Sequence, residues 1–244
     1  MIPLLGADVV LMQEASKAHL PANPSYRVSS SAADNWLITN GGNAAATAIA
    51  VFNPDLKYRV IPIVPLGSAV EGTLESSHLG QFTAIQIPFH GRTLTLVSLY
   101  AIWRGEFADA TLHRAISDLT PLITRENEVL VVGDMNIFRG YTLGGGEATL
   151  KRYNAVFERF ASLGLDVLGP YETGPLAGCP CKSDDCRHVR TYRHLNHEDS
   201  HPLQLDFAFG TKGVANAMIS CRVMDDERWW AASDHAPIEV TLHL

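Results

Sequence analysis

Carboxylates recur beside short apolar runs along this chain, and that recurrence constrains its fold more than any other feature. Asp206 interrupts the apolar run 205–209, where a buried carboxylate without a partner would be costly. The other examples are Gln13-Glu14, Gly133-Asp134-Met135-Asn136 and Ser233-Asp234-His235. A fold that brings these strand ends together would build one acidic pocket from distant residues. Divalent-metal hydrolases of phosphate esters are commonly built in this way.

The spacing of apolar residues predicts strands and helices mixed along the chain. Spacings of three and four predict helices over 107–124 and 150–163, and Pro121 is expected to kink or end the first. The run 9–12 is predicted to be a buried strand. Two strand pairs are predicted, 45–52 with 58–64 through the turn 53–55, and 82–89 with 94–100 through the turn 90–92. We therefore expect one domain over 1–244, with two packed sheets and helices outside.

Composition narrows the functional classes without selecting one. The chain has 244 residues, 46% of them apolar, and a net charge of -7, which argues against binding through a broad basic face. Nucleic acid stays open as a substrate, because bound cations offset the charge of pocket carboxylates. No membrane span, signal peptide or obligate protein partner is indicated. A cytoplasmic protein is the default expectation, with its four cysteines reduced or metal-bound.

The order of the carboxylate motifs resembles the endonuclease/exonuclease/phosphatase superfamily. Its marks are a Gln-Glu after an early strand, a mid-chain Gly-Asp-x-Asn, a late Leu-Asp-aromatic strand and a terminal Ser-Asp-His, and the match spans nearly the whole chain. The resemblance implies a four-layer α/β sandwich of two mixed, mainly antiparallel sheets with outer helices. It also implies Mg²⁺ or Mn²⁺ as the cofactor, and hydrolysis of phosphodiesters or phosphomonoesters.

The same resemblance implies how the metal and the water are handled. Glu14 would hold the metal, with Asp234 as a candidate second ligand. Asp134 would orient or deprotonate the attacking water, and Asn136 would bind a phosphate oxygen. The chemistry is consistent with these residue types, because Mg²⁺ prefers oxygen ligands and would neutralise charge that develops on the phosphoryl oxygens.

Three further residues receive roles from the resemblance. His235 would donate to the phosphate and be held by a carboxylate, for which Asp206 is the candidate. Tyr100 ends the run Ser98-Leu99-Tyr100, which is similar to the exonuclease-III-type strand whose Tyr contacts the scissile phosphate. A purely structural core position for Tyr100 stays open at this point.

One mark of the superfamily is expected to be missing. Its first strand carries an Asn well upstream of the Glu, whereas only 13 residues precede Glu14 here. Loss of that strand would expose a sheet edge and remove support from the metal site. A non-catalytic binding module therefore remains an alternative to an enzyme.

An irregular stretch over about 169–202 is too long for an ordinary connection. Three thiols and an imidazole lie within ten residues there, which suits a structural Cys₃His zinc site, although the spacing is tighter than usual. A polar loop without metal is the alternative. The candidate zinc ligands are Cys179, Cys181, Cys186 and His188, the alternative ligands are His194, His197 and His201, and Cys221 is interpreted as a core thiol.

The candidate substrate-binding residues favour a nuclease that acts on DNA. An aromatic ring followed by a guanidinium can stack on a base and contact a phosphate, and a basic-aromatic cluster lies just before Asp206. The acidic net charge keeps a small-molecule phosphatase or phosphodiesterase as the alternative. These candidates are Trp103 and Arg104, and then Arg190 and Arg193 with their neighbours Arg187 and Tyr192.

Overall fold

The computed structural model describes residues 6–15, 27–29, 46–103, 105–172, 174–193 and 202–244. It contains two compact units, unit 1 over Met1–Asp134 and unit 2 over Met135–Leu244. The candidate ligands His194, His197 and His201 and the candidate substrate residue Arg104 lie outside the described residues. No helix in the described part of the chain is long and apolar enough to cross a bilayer.

A small antiparallel sheet in unit 1 carries the first of the carboxylate motifs. Its strands are β1 (Val9–Ala15), β2 (Arg27–Ser29) and β3 (Ala46–Val51), in the order β1-β3-β2. The predicted strand over 9–12 is confirmed as part of β1, but its residues are half-buried and not buried as expected. A register shift between Met12 and Ala15 interrupts the pairing of β1 with β3, and Glu14 there has a φ of +49°.

A second sheet of unit 1 has the strand order β4-β7-β8-β9. Its strands β7 and β8 form the predicted hairpin, closed by His90 and Gly91 at positive φ. The helix predicted over 107–124 is α1 (Ala108–Leu119). A 3₁₀ turn at Thr120–Leu122 follows it and contains Pro121, so the α-helix ends at this proline, one of the two expected outcomes. The remaining strands of unit 1 are β4 (Arg59–Ile61), β5 (Ile63–Pro65), β6 (Leu74–Ser76), β7 (Phe82–Phe89), β8 (Arg92–Tyr100) and β9 (Asn127–Asp134), with β5 and β6 paired in parallel.

The predicted pairing of 45–52 with 58–64 is wrong. β3 lies between β1 and β2, whereas β4 pairs with β7. The run of β3 is buried from Thr47 to Val51, as expected of a central strand that has both edges occupied. The turn at Asn53-Pro54-Asp55 therefore leads the chain from one sheet to the other instead of closing a hairpin.

The described part of unit 2 contains two strand pairs and three short or medium helices around an aromatic core. The rings of Phe160 and Phe209 stack at 4.1 Å, and those of Phe157 and Phe207 meet edge to face at 5.1 Å. The pairs β10-β11 and β12-β13 are both antiparallel. The elements are α2 (Gly146–Ser162), β10 (Asp166–Gly169), β11 (Asp206–Gly210), α3 (Lys212–Ala217), β12 (Met218–Val223), α4 (Glu227–Trp230) and β13 (Ile238–Leu242). The predicted helix over 150–163 is confirmed by α2.

The connection between β10 and β11 contains the predicted irregular stretch. In its described residues, 170–172, 174–193 and 202–205, there is no helix or strand. Isolated bridges join Tyr192 to Leu203 and to His235. This connection brings the chain back to the start of β11, where Asp206 lies.

Candidate functional site

Three candidate residues meet at one end of the strands of unit 1, and we call Glu14, Tyr100 and Asp134 the strand-end cluster. β8 and β9 are parallel, so their final residues Tyr100 and Asp134 are direct register partners. The Tyr100 hydroxyl donates to Oε1 of Glu14 at 2.6 Å. Tyr100 and Asp134 are buried, and Glu14 is exposed. The cluster thus gathers the carboxylate of β1 from one sheet and the carboxylate of β9 from the other around the Tyr100 hydroxyl.

The surroundings of Tyr100 keep its phenol protonated. Burial raises the pKa of Tyr100 above its ordinary value, and the hydrogen bond to Glu14 and the charges of Glu14 and Asp134 raise it further. A hydroxyl in this state donates a hydrogen bond and orients the carboxylate of Glu14. The assignment of Tyr100 as only a core aromatic is therefore incomplete, because its polar end contacts the candidate metal ligand.

Polar contacts inside unit 1 hold β1 against the end of β8. Nε2 of Gln13 donates to Oγ of Ser98 at 2.9 Å, and that hydroxyl donates to the carbonyl oxygen of Met12 at 2.9 Å. Ser98 is fully buried, so this pair fixes the position of the residue next to Glu14. Sequence reasoning did not assign this role to Ser98, although a serine inside the apolar strand was a signal for it.

Gly133 allows β9 to approach β8 closely just before Asp134. A Cβ added at Gly133 would lie 1.8 Å from the carbonyl oxygen of Leu99, a distance that no side chain tolerates. The glycine of the Gly-Asp-x-Asn motif therefore has a steric role at this strand end. It lets the backbone of Asp134 reach Ala101, whose amide donates to the Asp134 carbonyl oxygen at 2.9 Å.

The structure brings Asp206 and His235 of unit 2 together. Nδ1 of His235 lies 2.8 Å from Oδ2 of Asp206, which is buried at the first position of β11. Asp206 is the carboxylate that the resemblance assigns to hold His235, and that role stays a prediction. A carboxylate at Nδ1 fixes the ring orientation and the tautomer of the histidine.

Thr191 supports the Asp206–His235 pair and was missed by sequence reasoning. Its side chain is fully buried, and its Oγ1 accepts from the amides of Leu205 at 3.0 Å and Asp206 at 3.1 Å. Its carbonyl oxygen also accepts from the amide of Ala236 at 2.9 Å. Thr191 thus contacts the backbone on both sides of the pair. No local sequence pattern marks such a residue, because its partners are distant along the chain.

Other contacts of unit 2 complete the surroundings of His235. The rings of Tyr192 and His235 lie 4.9 Å apart, and Oγ of Ser233 accepts from the His235 amide at 3.0 Å. The carbonyl oxygen of Asp234 accepts from the amide of Arg193 at 2.8 Å. The Ser-Asp-His motif is therefore held by the loop that precedes Asp206.

Asn136 lies in a constrained turn at the start of unit 2. Its φ is +48°, a region that non-glycine residues enter rarely and that is enriched at functional sites. The preceding residue, Met135, is fully buried, and its amide donates to the carbonyl oxygen of Leu205 at 2.9 Å. This bond ties the Asn136 turn to the residue before Asp206.

The candidate substrate residues have varied surroundings. The Trp103 side chain is 55% exposed, as a stacking residue must be. Nη2 of Arg190 lies 3.3 Å from Oδ1 of Asp225, and Nη1 of Arg193 lies 4.0 Å from Oε2 of Glu227. Both arginines are thus close to carboxylates that compete with a phosphate for them.

The four candidate zinc ligands converge in unit 2. Their donor atoms all lie within 4.8 Å of one another. The Sγ atoms of Cys179 and Cys181 are 3.3 Å apart, and Nδ1 of His188 lies 3.4 Å from Sγ of Cys179 and 3.4 Å from Sγ of Cys186. Burial, together with the positive charge of Arg139, lowers the pKa of His188. The imidazole is therefore neutral at physiological pH, as a ligand must be.

Comparison with known proteins identifies the fold. No family model matches the chain, and no curated protein matches it. Solved structures do match over nearly its whole length. The catalytic domain of APE2 from Xenopus laevis has a TM-score of 0.70 at 12% identity and covers 99% of this chain and 85% of its own.

Two further structures agree with that match. The endonuclease domain of TRAS1, a telomere-specific non-LTR retrotransposon, has a TM-score of 0.64 at 20% identity, covering 98% of this chain and 87% of its own. An AP endonuclease from Archaeoglobus fulgidus has a TM-score of 0.60 at 14% identity, covering 100% and 93%. The chain has the mixed α/β fold of these structures, so the predicted fold class is confirmed.

Proposed function

We propose that this chain is a metal-dependent phosphodiester hydrolase, and specifically a nuclease that acts on DNA. The observation that carries the proposal is the contact of His235 Nδ1 with Asp206 Oδ2 at 2.8 Å. A carboxylate at Nδ1 orients the imidazole and stabilises the imidazolium form, which donates to a phosphate oxygen. A histidine with only a structural role would not require a buried carboxylate at its Nδ1. Here that carboxylate is Asp206, whose backbone amide is in turn bound by Thr191.

The residues of the strand-end cluster and of the Asn136 turn supply the other roles. Asp134 orients the attacking water and accepts its proton, as the resemblance to the superfamily implies. The Asn136 side-chain amide donates to a phosphate oxygen. Tyr100, kept protonated by burial and by two neighbouring carboxylates, donates a hydrogen bond at the same end of β8.

The donor set suits a hard divalent cation. Glu14 offers an exposed carboxylate that the Tyr100 hydroxyl orients at 2.6 Å, and oxygen ligands of this kind are those that Mg²⁺ and Mn²⁺ prefer. We propose that Glu14 holds the metal and that Asp234 is a second ligand. When bound, the cation neutralises charge on the phosphoryl oxygens and lowers the pKa of a bound water.

DNA is the substrate class that we favour. Two of the similar structures are AP endonucleases and one is a retrotransposon endonuclease domain. The exposed ring of Trp103, three residues beyond Tyr100, supports base stacking beside the reacting phosphate. Arg190 and Arg193, on the loop before Asp206, would contact the backbone of the nucleic acid.

A small phosphate ester is the second candidate substrate. The net charge of -7 and the carboxylates near Arg190 and Arg193 favour it, because they weaken attraction to a long polyanion. Such a substrate would need only the strand-end cluster and the Asp206–His235 pair.

A cleavage panel tests the proposal. Purified protein is assayed with Mg²⁺ or Mn²⁺ on duplex DNA, duplex DNA with an abasic site, RNA, a 3′-phosphorylated oligonucleotide and bis(p-nitrophenyl) phosphate. We expect DNA cleavage that stops with a chelator and falls at least about 10²-fold in His235→Ala. The exposed His243 provides a matched control, and His243→Ala should keep the wild-type rate.

Each result of the panel has a defined meaning. Turnover of small esters or phosphomonoesters without DNA cleavage would replace the nuclease with the second candidate. Equal rates in His235→Ala and wild type would contradict the role of the pair. Absence of metal-dependent cleavage on every substrate would support the binding-module alternative.

A further inference from the structure

We infer that Cys179, Cys181, Cys186 and His188 form a structural Cys₃His zinc site that fastens the loop before Asp206. The four donor atoms lie within 4.8 Å of one another, and three of their pairwise separations are 3.3, 3.4 and 3.4 Å. A tetrahedral zinc ion with Zn–S bonds of about 2.3 Å and a Zn–N bond of about 2.0 Å separates its ligands by roughly 3.5–3.8 Å. Small side-chain adjustments accommodate the ion.

The histidine is prepared as a ligand by a contact outside the cluster. Nε2 of His188 lies 2.8 Å from the carbonyl oxygen of Arg139, so the Nε2–H donates there and the lone pair is left on Nδ1. Nδ1 is also the atom that faces the sulfurs of Cys179 and Cys186. A backbone acceptor of this kind commonly orients the histidines that bind zinc.

The chemistry of the donors favours zinc over the other occupants of such a cluster. Three thiolates and an imidazole are soft or borderline ligands, unlike the oxygen ligands that Mg²⁺ requires. All four cysteines are described, and none forms a disulfide. A disulfide between Cys179 and Cys181 would not explain why Cys186 and the oriented His188 lie beside these two cysteines.

The site has a clear place in the fold. The described residues of the connection between β10 and β11 form no helix or strand, so no regular helix or sheet pairing holds it. The ring of Tyr141 contacts His188 edge to face at 5.0 Å, and its hydroxyl accepts from the Gln204 amide at 3.4 Å. The cluster thus lies between the loop that contains Arg139 and the chain that enters β11.

A short path joins the zinc ligands to the Asp206–His235 pair. Thr191 follows His188 by three residues and accepts from the amides of Leu205 and Asp206. A metal that fixes His188 therefore limits the movement of Thr191 and, through it, of Asp206. Zinc binding does not rest on the proposed function, whereas any effect of zinc on the rate does.

The decisive experiment uses wild-type protein purified under reducing conditions and without added metal. We expect about one Zn²⁺ per chain, and we expect a mercurial reagent that modifies thiols to release it. The zinc X-ray absorption fine-structure spectrum should show three sulfur ligands at about 2.3 Å and one nitrogen ligand. Cys186→Ala and His188→Ala should each lose most of the zinc, whereas Cys221→Ala, at the cysteine outside the cluster, should keep it. Because the ligand variants can fail to fold, the spectrum of wild type decides the case.

A second measurement tests the structural role of the ion. Lys182 and Arg187 are exposed trypsin sites inside the loop, and removal of zinc with a chelator should speed cleavage there severalfold. Protein without zinc, or zinc bound only by oxygen and nitrogen ligands, would overturn the inference. Unchanged tryptic cleavage after zinc removal would overturn the claim that the ion fastens the loop.

Discussion

The hydroxyl of Tyr100 donates to Glu14 Oε1 across 2.6 Å and joins the end of β8 to the carboxylate of β1. This hydrogen bond links a residue of one sheet to the candidate metal ligand of the other sheet in unit 1. The bond gives the hydroxyl of Tyr100 a partner at a buried strand end. It also contributes to the raised pKa of Tyr100, which a titration of protein stability detects.

Tyr100 should give the folded protein a sensitivity to alkaline pH. Unfolded tyrosine ionises near pH ~10, and the folded pKa of Tyr100 is raised by burial, Glu14 and Asp134. The stability that follows from this shift is fully present below pH ~10 and is lost as pH rises through the folded pKa. Tyr100→Phe should therefore lose less stability above pH ~10 than wild type, as measured by urea midpoints across that range.

Glu14→Gln is the matched control for that titration. It keeps the burial of Tyr100 and removes one neighbouring charge, so the alkaline loss of stability should shrink and not disappear. Identical pH profiles for wild type and Tyr100→Phe would show that Tyr100 ionises alike in the folded and unfolded chain, against the expectation.

Gly133→Ala should destabilise the protein severely. The new Cβ would lie 1.8 Å from the carbonyl oxygen of Leu99, which belongs to a buried strand and is unable to move aside cheaply. We expect a loss of about 3 kcal/mol or more in the free energy of unfolding. Gly144→Ala is the control, because nothing lies within 4 Å of its added Cβ. Similar denaturation midpoints for the two variants would disprove the steric role.

Thr191→Val should weaken the support of Asp206. The change keeps the shape of a fully buried side chain and removes the oxygen that accepts from the amides of Leu205 and Asp206. Leaving these amides short of an acceptor should cost about 1–3 kcal/mol of stability. Thr191→Ser keeps the hydroxyl and should lose less. Faster hydrogen exchange at the Asp206 amide in Thr191→Val, but not in Thr191→Ser, would show that the lost hydrogen bonds cause the destabilisation. Equal exchange rates in the two variants would contradict the role of the Thr191 hydroxyl.

The carboxylate motifs were predictable from the sequence because each lies where an apolar run ends or is interrupted. Asp206 was singled out by the cost of burying a lone carboxylate, and the structure gives it His235 as a partner. The hairpin of β7 and β8 followed from the two strand-like runs on either side of the turn at 90–92. These features depend on local spacing, which a single sequence carries.

Features that depend on distant partners were not predictable. The two edges of β3 are occupied by β1 and β2, so β3 has no edge left for β4. Nothing in the sequence near the turn at 53–55 indicates that β4 pairs with β7 instead. The carboxylates beside Arg190 and Arg193 are more than thirty residues away along the chain. Thr191 acquires its role only when the loop returns to β11.

Asp206→Asn and His235→Ala should act as one unit. The two side chains touch at 2.8 Å, so loss of either removes the oriented imidazole, and each should lower the rate at least about 10²-fold. The double variant should then be little worse than either single variant. The cycle is measured as single-turnover rates on the preferred substrate of the cleavage panel. Multiplicative losses would mean that the two residues work independently.

The most direct test of the account is the rate of metal-dependent phosphodiester cleavage by Asp134→Asn under single-turnover conditions. The substitution keeps the size of a buried side chain at the end of β9 and removes the carboxylate that we propose accepts a proton from water. We predict a loss of at least about 10²-fold with a nearly unchanged denaturation midpoint. Turnover close to that of wild type in a folded Asp134→Asn protein would contradict the proposed mechanism.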